Sequence, residues 1–189
     1  MQILAFNGSP RPQGNTSAVL AAMLEGARSR GAEAVEIRLH DIDFKGCLGC
    51  FGCRKNPGRC SAQDELSSWL EAVKTCAGMI IGCPIYMYRI SGQMKLLVDR
   101  MYSLYASLPQ GGYTSMVPAG KTYALVTSQG APNDLQYTKS IAYLAGMTGS
   151  GLGFEEVGRI LHTQSADKPA ASDRALLERA FDIGRKMVR

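Results

Sequence analysis

The stretch Gly8-Ser9-Pro10-Arg11-Pro12-Gln13-Gly14-Asn15-Thr16-Ser17 follows the apolar run Gln2 to Phe6 and leads into residues at helical spacing. The run reads as a buried strand. Val19, Leu20, Met23, Leu24 and Ala27 then recur with the period of a helix that Gly31 stops. Strand, Gly/Pro turn and helix in immediate succession open a βαβ unit. Such a turn also carries chemistry: glycines let the backbone approach a ligand, free N–H groups at the helix start point at an anion, and the helix dipole favours negative charge there. Ser9, Thr16 and Ser17 add hydroxyls, Asn15 an amide and Arg11 a guanidinium able to fork onto phosphate oxygens. The turn matches neither G-x-x-x-x-G-K-[ST] nor G-x-G-x-x-G, which disfavours a nucleoside triphosphate and removes the standard dinucleotide fingerprint. An ordinary turn with Thr16 as helix cap is the plainer alternative.

The same alternation continues along the chain. Ala34 to Leu39, Gly78 to Cys83, Tyr123 to Thr127 and Phe154 to Leu161 read as further strands. Between them, Ser61 with Asp64 resembles a capping box ahead of Leu66, Trp69, Leu70 and Val73. Ser91 is placed to cap a helix whose apolar side is Met94, Leu97, Val98, Met101 and Leu104. Asp134 to Ala145 is a weaker helix, and Ser172 or Asp173 starts a last one. Five strands alternating with helices predict an α/β fold, a doubly wound parallel sheet with helices on both faces and right-handed connections. One domain over residues 1–189 is expected, with a cysteine-rich insertion loop at 44–62. The connection from Tyr105 to Lys121 is long for a compact domain and reads as a functional loop, an interface or a mobile surface segment.

Composition narrows the class. Apolar residues make up 46% and charged residues 20% of the 189, too apolar for a disordered chain. No apolar stretch approaches the ~20 residues that cross a bilayer. No membrane partner and a cytoplasmic location are therefore expected, since a strand-like start without a charged region does not read as a secretory leader. A net charge of +5 admits an anionic ligand without calling for nucleic acid. His40 and His162 are isolated and read as surface or core polar residues, Cys76 and Cys83 as small packing residues, and Lys95 with Asp99 as a surface ion pair beside which Arg100 has no assigned role. No side chain is assigned as catalytic acid or base.

Four of the six cysteines, Cys47, Cys50, Cys53 and Cys60, fall in the pattern C-x2-C-x2-C-x6-C. Thiolates at i, i+3 and i+6 are placed to wrap three corners of a cubane, the opening spacing that bacterial ferredoxins use, and one [4Fe-4S] cluster is the economical reading. Gly49 and Gly52 let the backbone turn toward sulfur, and Pro57-Gly58 turns it back to deliver Cys60. Zinc, disulfides and a loop that binds nothing stay open as alternatives. Lys45, Arg54, Lys55 and Arg59, with no acidic residue between Phe44 and Gln63, favour thiolates and suit an acidic electron-transfer partner such as a ferredoxin.

Taken together, GSPRPQGNTS after the first strand, PIYMYRISGQMKLLVDR after the third and CLGCFGC…C between them resemble the flavodoxin-like NADPH-dependent FMN reductase superfamily, and within it the iron–sulfur flavoproteins. The likeness is strong over residues 1–104 and beyond that rests on element order. It implies a flavodoxin-like sheet of order 2-1-3-4-5. It also implies FMN, with Ser9, Arg11, Asn15, Thr16 and Ser17 at its phosphate, and a homodimer or homotetramer. Pro84, Ile85, Tyr86, Met87 and Tyr88 would face the flat ring, for which apolar and aromatic side chains are suited, or pack against a partner subunit. Thr127, Ser128, Gln129 and Gly130 would lie near it too, or form only a turn. The expected function is an FMN-binding redox protein that moves electrons between a donor, NAD(P)H or a ferredoxin, and an acceptor through FMN and the cluster. Its alternatives are an NAD(P)H-dependent FMN or quinone reductase without a cluster, and a sensor without turnover.

Overall fold

The computed structural model describes residues 1–189. In chain order its elements are β1 (Gln2–Asn7), α1 (Asn15–Arg28), β2 (Glu33–Arg38), α2 (Gly52–Lys55), α3 (Glu65–Thr75), β3 (Gly78–Tyr86), β4 (Arg89–Ile90), α4 (Gly92–Arg100), β5 (Tyr105–Ser107), β6 (Tyr113–Ser115), β7 (Thr122–Ser128), α5 (Thr138–Gly146), β8 (Glu155–His162) and α6 (Arg174–Lys186). Ile3, Leu4, Ala5 and Phe6 of β1 are all fully buried, so the strand is continuously apolar rather than alternating, as helices on both faces require. β1 pairs in parallel with β2 on one side and β3 on the other, β7 with β3, and β8 with β7. The order β2-β1-β3-β7-β8 is the expected flavodoxin-like 2-1-3-4-5. The connections after β1 and β3 leave in opposite directions along the sheet, and this opens a crevice beyond the carboxyl ends of the strands.

Each strand sends alternate side chains to two separate cores. Leu4, Phe6, Met79 and Ile81 meet Leu66, Leu70, Val73, Met94, Leu97 and Leu144 from α3, α4 and α5. Ile3, Ala5 and Ile80 meet Val19, Leu20, Met23, Ala180 and Ile183 from α1 and α6. Each large apolar side chain fully buried in this way contributes about 1.5–3 kcal/mol. Helices α1 and α6 pack backbone to backbone: a Cβ at Gly26 would strike the Phe181 carbonyl, and one at Gly184 the Met23 carbonyl.

Four local expectations are revised. The capping box of α3 lies three residues further on, with Asp64 as N-cap and its N–H donated to Ser67 Oγ at 3.1 Å. Ser61 is drawn instead against Gly52, where a Cβ would meet its side chain. The long connection after α4 contains an antiparallel ribbon, β5 with β6, turned by Gly111 and Gly112 at φ of +90° and +84°. The segment from Asp134 starts as a 3-10 turn through Tyr137 before α5 begins. Helix α4 ends at Arg100, and Met101–Leu104, read as part of it, follow as a 3-10 turn; α1 is capped by Gly14, where the plainer alternative had Thr16. Ser91 and Asp173 cap α4 and α6, the side chains accepting from Met94 N and Leu176 N.

Candidate functional site

Asn7 at the end of β1 builds the first loop. Its side chain is fully buried, donates to Ser17 Oγ (2.9 Å) and Glu36 Oε1 (2.6 Å), and accepts from Ser9 N (2.8 Å). Arg11 N donates to Ser9 Oγ (3.2 Å), while Ser17 Oγ and Gly14 N both donate to the Arg11 carbonyl (3.0 and 3.1 Å). The Arg11 backbone is thus pinned while its side chain is exposed. Gly14 provides no side chain to cap α1, and the first helical N–H groups face the loop. Ser9, Thr16 and Ser17 are buried around that end. Asn15 departs from the phosphate role: its amide donates to Ser165 O (2.8 Å) and accepts from Ala170 N (2.7 Å), so its side chain ties α1 to the connection after β8. Asn7 was missed in the sequence because it falls between the apolar run that ends at Phe6 and the loop that starts at Gly8.

β3 runs past the sheet to Tyr86 and returns as β4, with Tyr86 opposite Arg89 and Met87-Tyr88 as the two-residue turn. Both turn residues have positive φ, 45° and 67°, a type I′ geometry that ordinarily selects Asn and Gly. A left-handed conformation at side-chain-bearing residues is strain of the kind that collects at functional sites. Met87 is 88% and Tyr88 63% exposed, so no core packing holds them there. The Tyr88 ring meets Tyr137 edge-on at 5.8 Å, and Ser140 Oγ donates to the Tyr88 carbonyl at 3.2 Å, so the hairpin leans on the start of α5. Pro84 is buried and Ile85 half-buried at its base.

The connection after β7 completes the crevice. Thr127, Ser128 and Gln129 are buried and Gly130 is exposed. Thr16 Oγ1 donates to Ser128 Oγ at 3.2 Å and joins this loop to the first. Gln129 Nε2 donates to the Asn133 carbonyl (2.8 Å), but Gln129 Oε1 and Thr127 Oγ1 are buried without a hydrogen-bond partner. Buried polar atoms are nearly always paired, and an orphaned pair beside an uncapped helix start fits a bound polar molecule that supplies the partners. His162 is buried beside this region, its Nε2–H donated to the Lys168 carbonyl at 2.8 Å, as a core polar residue.

The cysteine loop lies toward the other end of α4. All four cysteines are free thiols; Cys47 and Cys50 are exposed, Cys53 and Cys60 half-buried. They line one cavity of about 190 Å³ together with Leu48, Phe51, Arg100 and Tyr102. Burial pushes the Cys53 thiol up; its backbone hydrogen bond opposes this, and the neighbouring Cys60, Cys47 and Cys50 add to the rise. No three of these groups are gathered closely enough to hold a single metal ion. In a cubane the four sulfurs belong to four separate irons, so the donor set and cavity are compatible with that group. Cys76 and Cys83 lie in the core, where burial pushes their thiols up to about 11 and about 12.

Arg100 corrects the sequence reading. Lys95 and Asp99 form the expected surface pair at 2.5 Å, but the next residue turns inward and is 1% exposed. Its guanidinium donates to the Asp64 carboxylate (Nη1–Oδ2 2.7 Å, Nη2–Oδ1 3.1 Å), to the Lys45 carbonyl (2.8 Å) and, through Nε, to Cys60 Sγ (3.2 Å). The signal was available: Arg100 follows Leu97 by three positions and so shares the apolar face of α4.

Comparison with known proteins gives the family and the fold. An iron-sulfur flavoprotein of Methanocaldococcus jannaschii is 36% identical over 100 residues, which is 53% of this chain and 51% of that protein. One from Archaeoglobus fulgidus is 38% identical over 100 residues, 53% of this chain and 48% of that protein. The chain therefore spans about half the length of the curated relatives it matches. The crystal structure of an FMN-dependent NADH-azoreductase from Bacillus anthracis superposes with a TM-score of 0.69 over 99% of this chain and 97% of that one, at 18% identity, a likeness of fold. Residues 1–149 match the family described as NADPH-dependent FMN reductase, and with well over half of its length so matched, the chain belongs to that family.

Proposed function

We propose that the protein is an FMN-dependent oxidoreductase of the iron–sulfur flavoprotein kind, using a reduced donor such as NAD(P)H or a ferredoxin. The observation that carries this reading is the reach of α4. At its start, a Cβ on Gly8 would come within 2.7 Å of the Ser91 cap, so the phosphate loop rests on it. At its end, Arg100 enters the cysteine cavity. The two candidate sites are one nine-residue helix apart, about 13 Å.

FMN, when bound, supplies hydride and single-electron transfer, and a [4Fe-4S] cluster supplies single-electron transfer. The chain's own residues bind and orient. Arg11, Ser9, Thr16, Ser17 and the free N–H groups of α1 would hold the phosphate, while Asn15 fixes the loop behind it. Pro84 to Tyr88 would cover a flat ring, with Thr127 and Gln129 pairing their orphaned oxygens at its polar edge. Cys47, Cys50, Cys53 and Cys60 would hold the cluster, with Lys45, Arg54, Lys55 and Arg59 around it for an acidic partner. The exposed Met87 and Tyr88 give a second copy an apolar surface to meet, consistent with a homodimer or homotetramer.

The test is anaerobic purification with flavin, iron and acid-labile sulfide counted per chain, followed by NAD(P)H oxidation with quinone, flavin or ferredoxin as acceptor. A second reading, the reductase without a cluster, is favoured by the spread of the thiols and the exposure of Cys47 and Cys50. Flavin with no iron, and direct NAD(P)H turnover, would select it. Flavin binding with no turnover would select the sensor.

A further inference from the structure

Of the four thiols in the cysteine loop, only that of Cys60 receives a side-chain hydrogen bond, from Arg100 Nε at 3.2 Å. The donor comes from α4, which the loop does not include. The same guanidinium reaches the Lys45 carbonyl, two residues ahead of Cys47, and both oxygens of Asp64, the cap of α3 beyond Cys60. One planar group therefore joins the two stems of the loop and aims its remaining edge at the last sulfur. Asp64 fixes the plane of the fork by two parallel contacts, a geometry that a lysine ammonium does not reproduce.

We propose that Arg100 is a positioning residue for Cys60: it fixes the sulfur that completes the set of four, and presents to it a hydrogen-bond donor and a positive charge. This rests on the cluster reading above. Hydrogen bonds to cluster sulfurs and nearby charge are among the levers that set the reduction potential. Arg100 should therefore both retain the metal and make it easier to reduce. A residue that only fills the core has no reason to move the potential.

The experiment uses full-length wild type, Arg100→Gln and Arg100→Lys, reconstituted anaerobically with iron and sulfide. Flavin, iron and sulfide are counted. The potential is measured by titration with dithionite as the electron donor and read from the electron paramagnetic resonance signal of the reduced form. Arg100→Gln is expected to keep its flavin, to release iron to a chelator at least tenfold faster, and to be reduced at lower potential by about tenfold in equilibrium constant, 59 mV for one electron. Arg100→Lys, with charge but no fork, should fall between. If the Gln variant holds flavin but no iron, the Lys variant carries the potential measurement. Unchanged potentials in the iron-holding variants overturn the proposal, as does loss of flavin together with iron, which would make Arg100 a general core residue. Wild type without iron or sulfide overturns the cluster reading and this proposal with it. A wild type with cluster beside unshifted variants overturns this proposal alone.

Discussion

Arg11 offers its guanidinium to solvent from a backbone pinned at both its N–H and its carbonyl. Replacing it by alanine leaves that framework intact and removes one charge-assisted contact. FMN affinity should fall about ten- to hundredfold with the thermal transition of the apoprotein unchanged; titration of apoprotein with FMN measures it, and unaltered affinity would take Arg11 out of the site. At the opposite end of α4, Asp64 carries a pH signature. The hydrogen bond from Arg100 holds its carboxyl below the usual carboxylate range, with burial opposing. A depressed native pKa means that the unfolded state takes up the proton first. The stabilisation is therefore complete above the unfolded value, about 3.9, and is lost as pH falls through the lower native one. Asp64→Asn should cost toward the low end of about 3–5 kcal/mol at pH 7, with a smaller difference from wild type at pH 3. Urea unfolding at the two pH values checks the sign. At this scale legibility divided by partner distance. Arg11, Ser9 and Ser17 sit in one short strand-to-helix loop, and that pattern is enough to mark them as candidates. The Asp64–Arg100 pair joins two helices far apart in the chain: the apolar face of α4 signals that Arg100 turns inward, but no local pattern names its partner.

The β3–β4 hairpin and the α1–α6 contact place opposite demands on glycine. Met87 holds φ at 45° with a side chain that packs on nothing. Met87→Gly relieves the left-handed conformation, offset partly by the freer unfolded chain, and should raise Tm by about 1–3 °C. If the strain serves a ring-covering face, FMN should bind more weakly in the same variant; equal affinity would remove Met87 from that face. At the helix contact the reverse holds. Gly184→Ala drives a Cβ into the Met23 backbone and should destabilise by about 1–3 kcal/mol or more in urea unfolding. Gly146→Ala, with open space around its Cβ, serves as the control and should be neutral or slightly stabilising. The helical period located α1, and the continuous apolar run located β1; α4 was read through Leu104, whereas the α-helix ends at Arg100 and Met101–Leu104 continue it as a 3-10 turn. The β5–β6 ribbon was not read, because three-residue strands carry no period and Gly111-Gly112 resembles any loop. The 3-10 start before α5 was read as helix because its spacing over one turn is nearly the same.

For the molecule as a whole, the two candidate sites should come apart cleanly. Cys50→Ser removes one thiol of the cavity, and a hydroxyl is a poor replacement toward iron. The phosphate loop belongs to another connection of the sheet, so the variant should purify yellow, with flavin retained and iron lost; iron at wild-type level would remove Cys50 from the set. The doubly wound parallel class was legible because alternation of strand and helix constrains topology strongly, the order of its strands came only with the family resemblance, and the joining of the two candidate sites by α4 appears only in three dimensions. The backbones of α1 and α6 meet at Gly26 against Phe181 and at Gly184 against Met23. This pairs the first helix with the last, and the face of α1 around Met23 and Gly26 stays uncovered until α6 docks. A ribosome adds roughly 5–20 residues each second. The growing chain therefore carries a sticky, half-covered sheet for several seconds after its first βαβ unit could form, and a stall before Arg174 would leave that surface for a chaperone to shield.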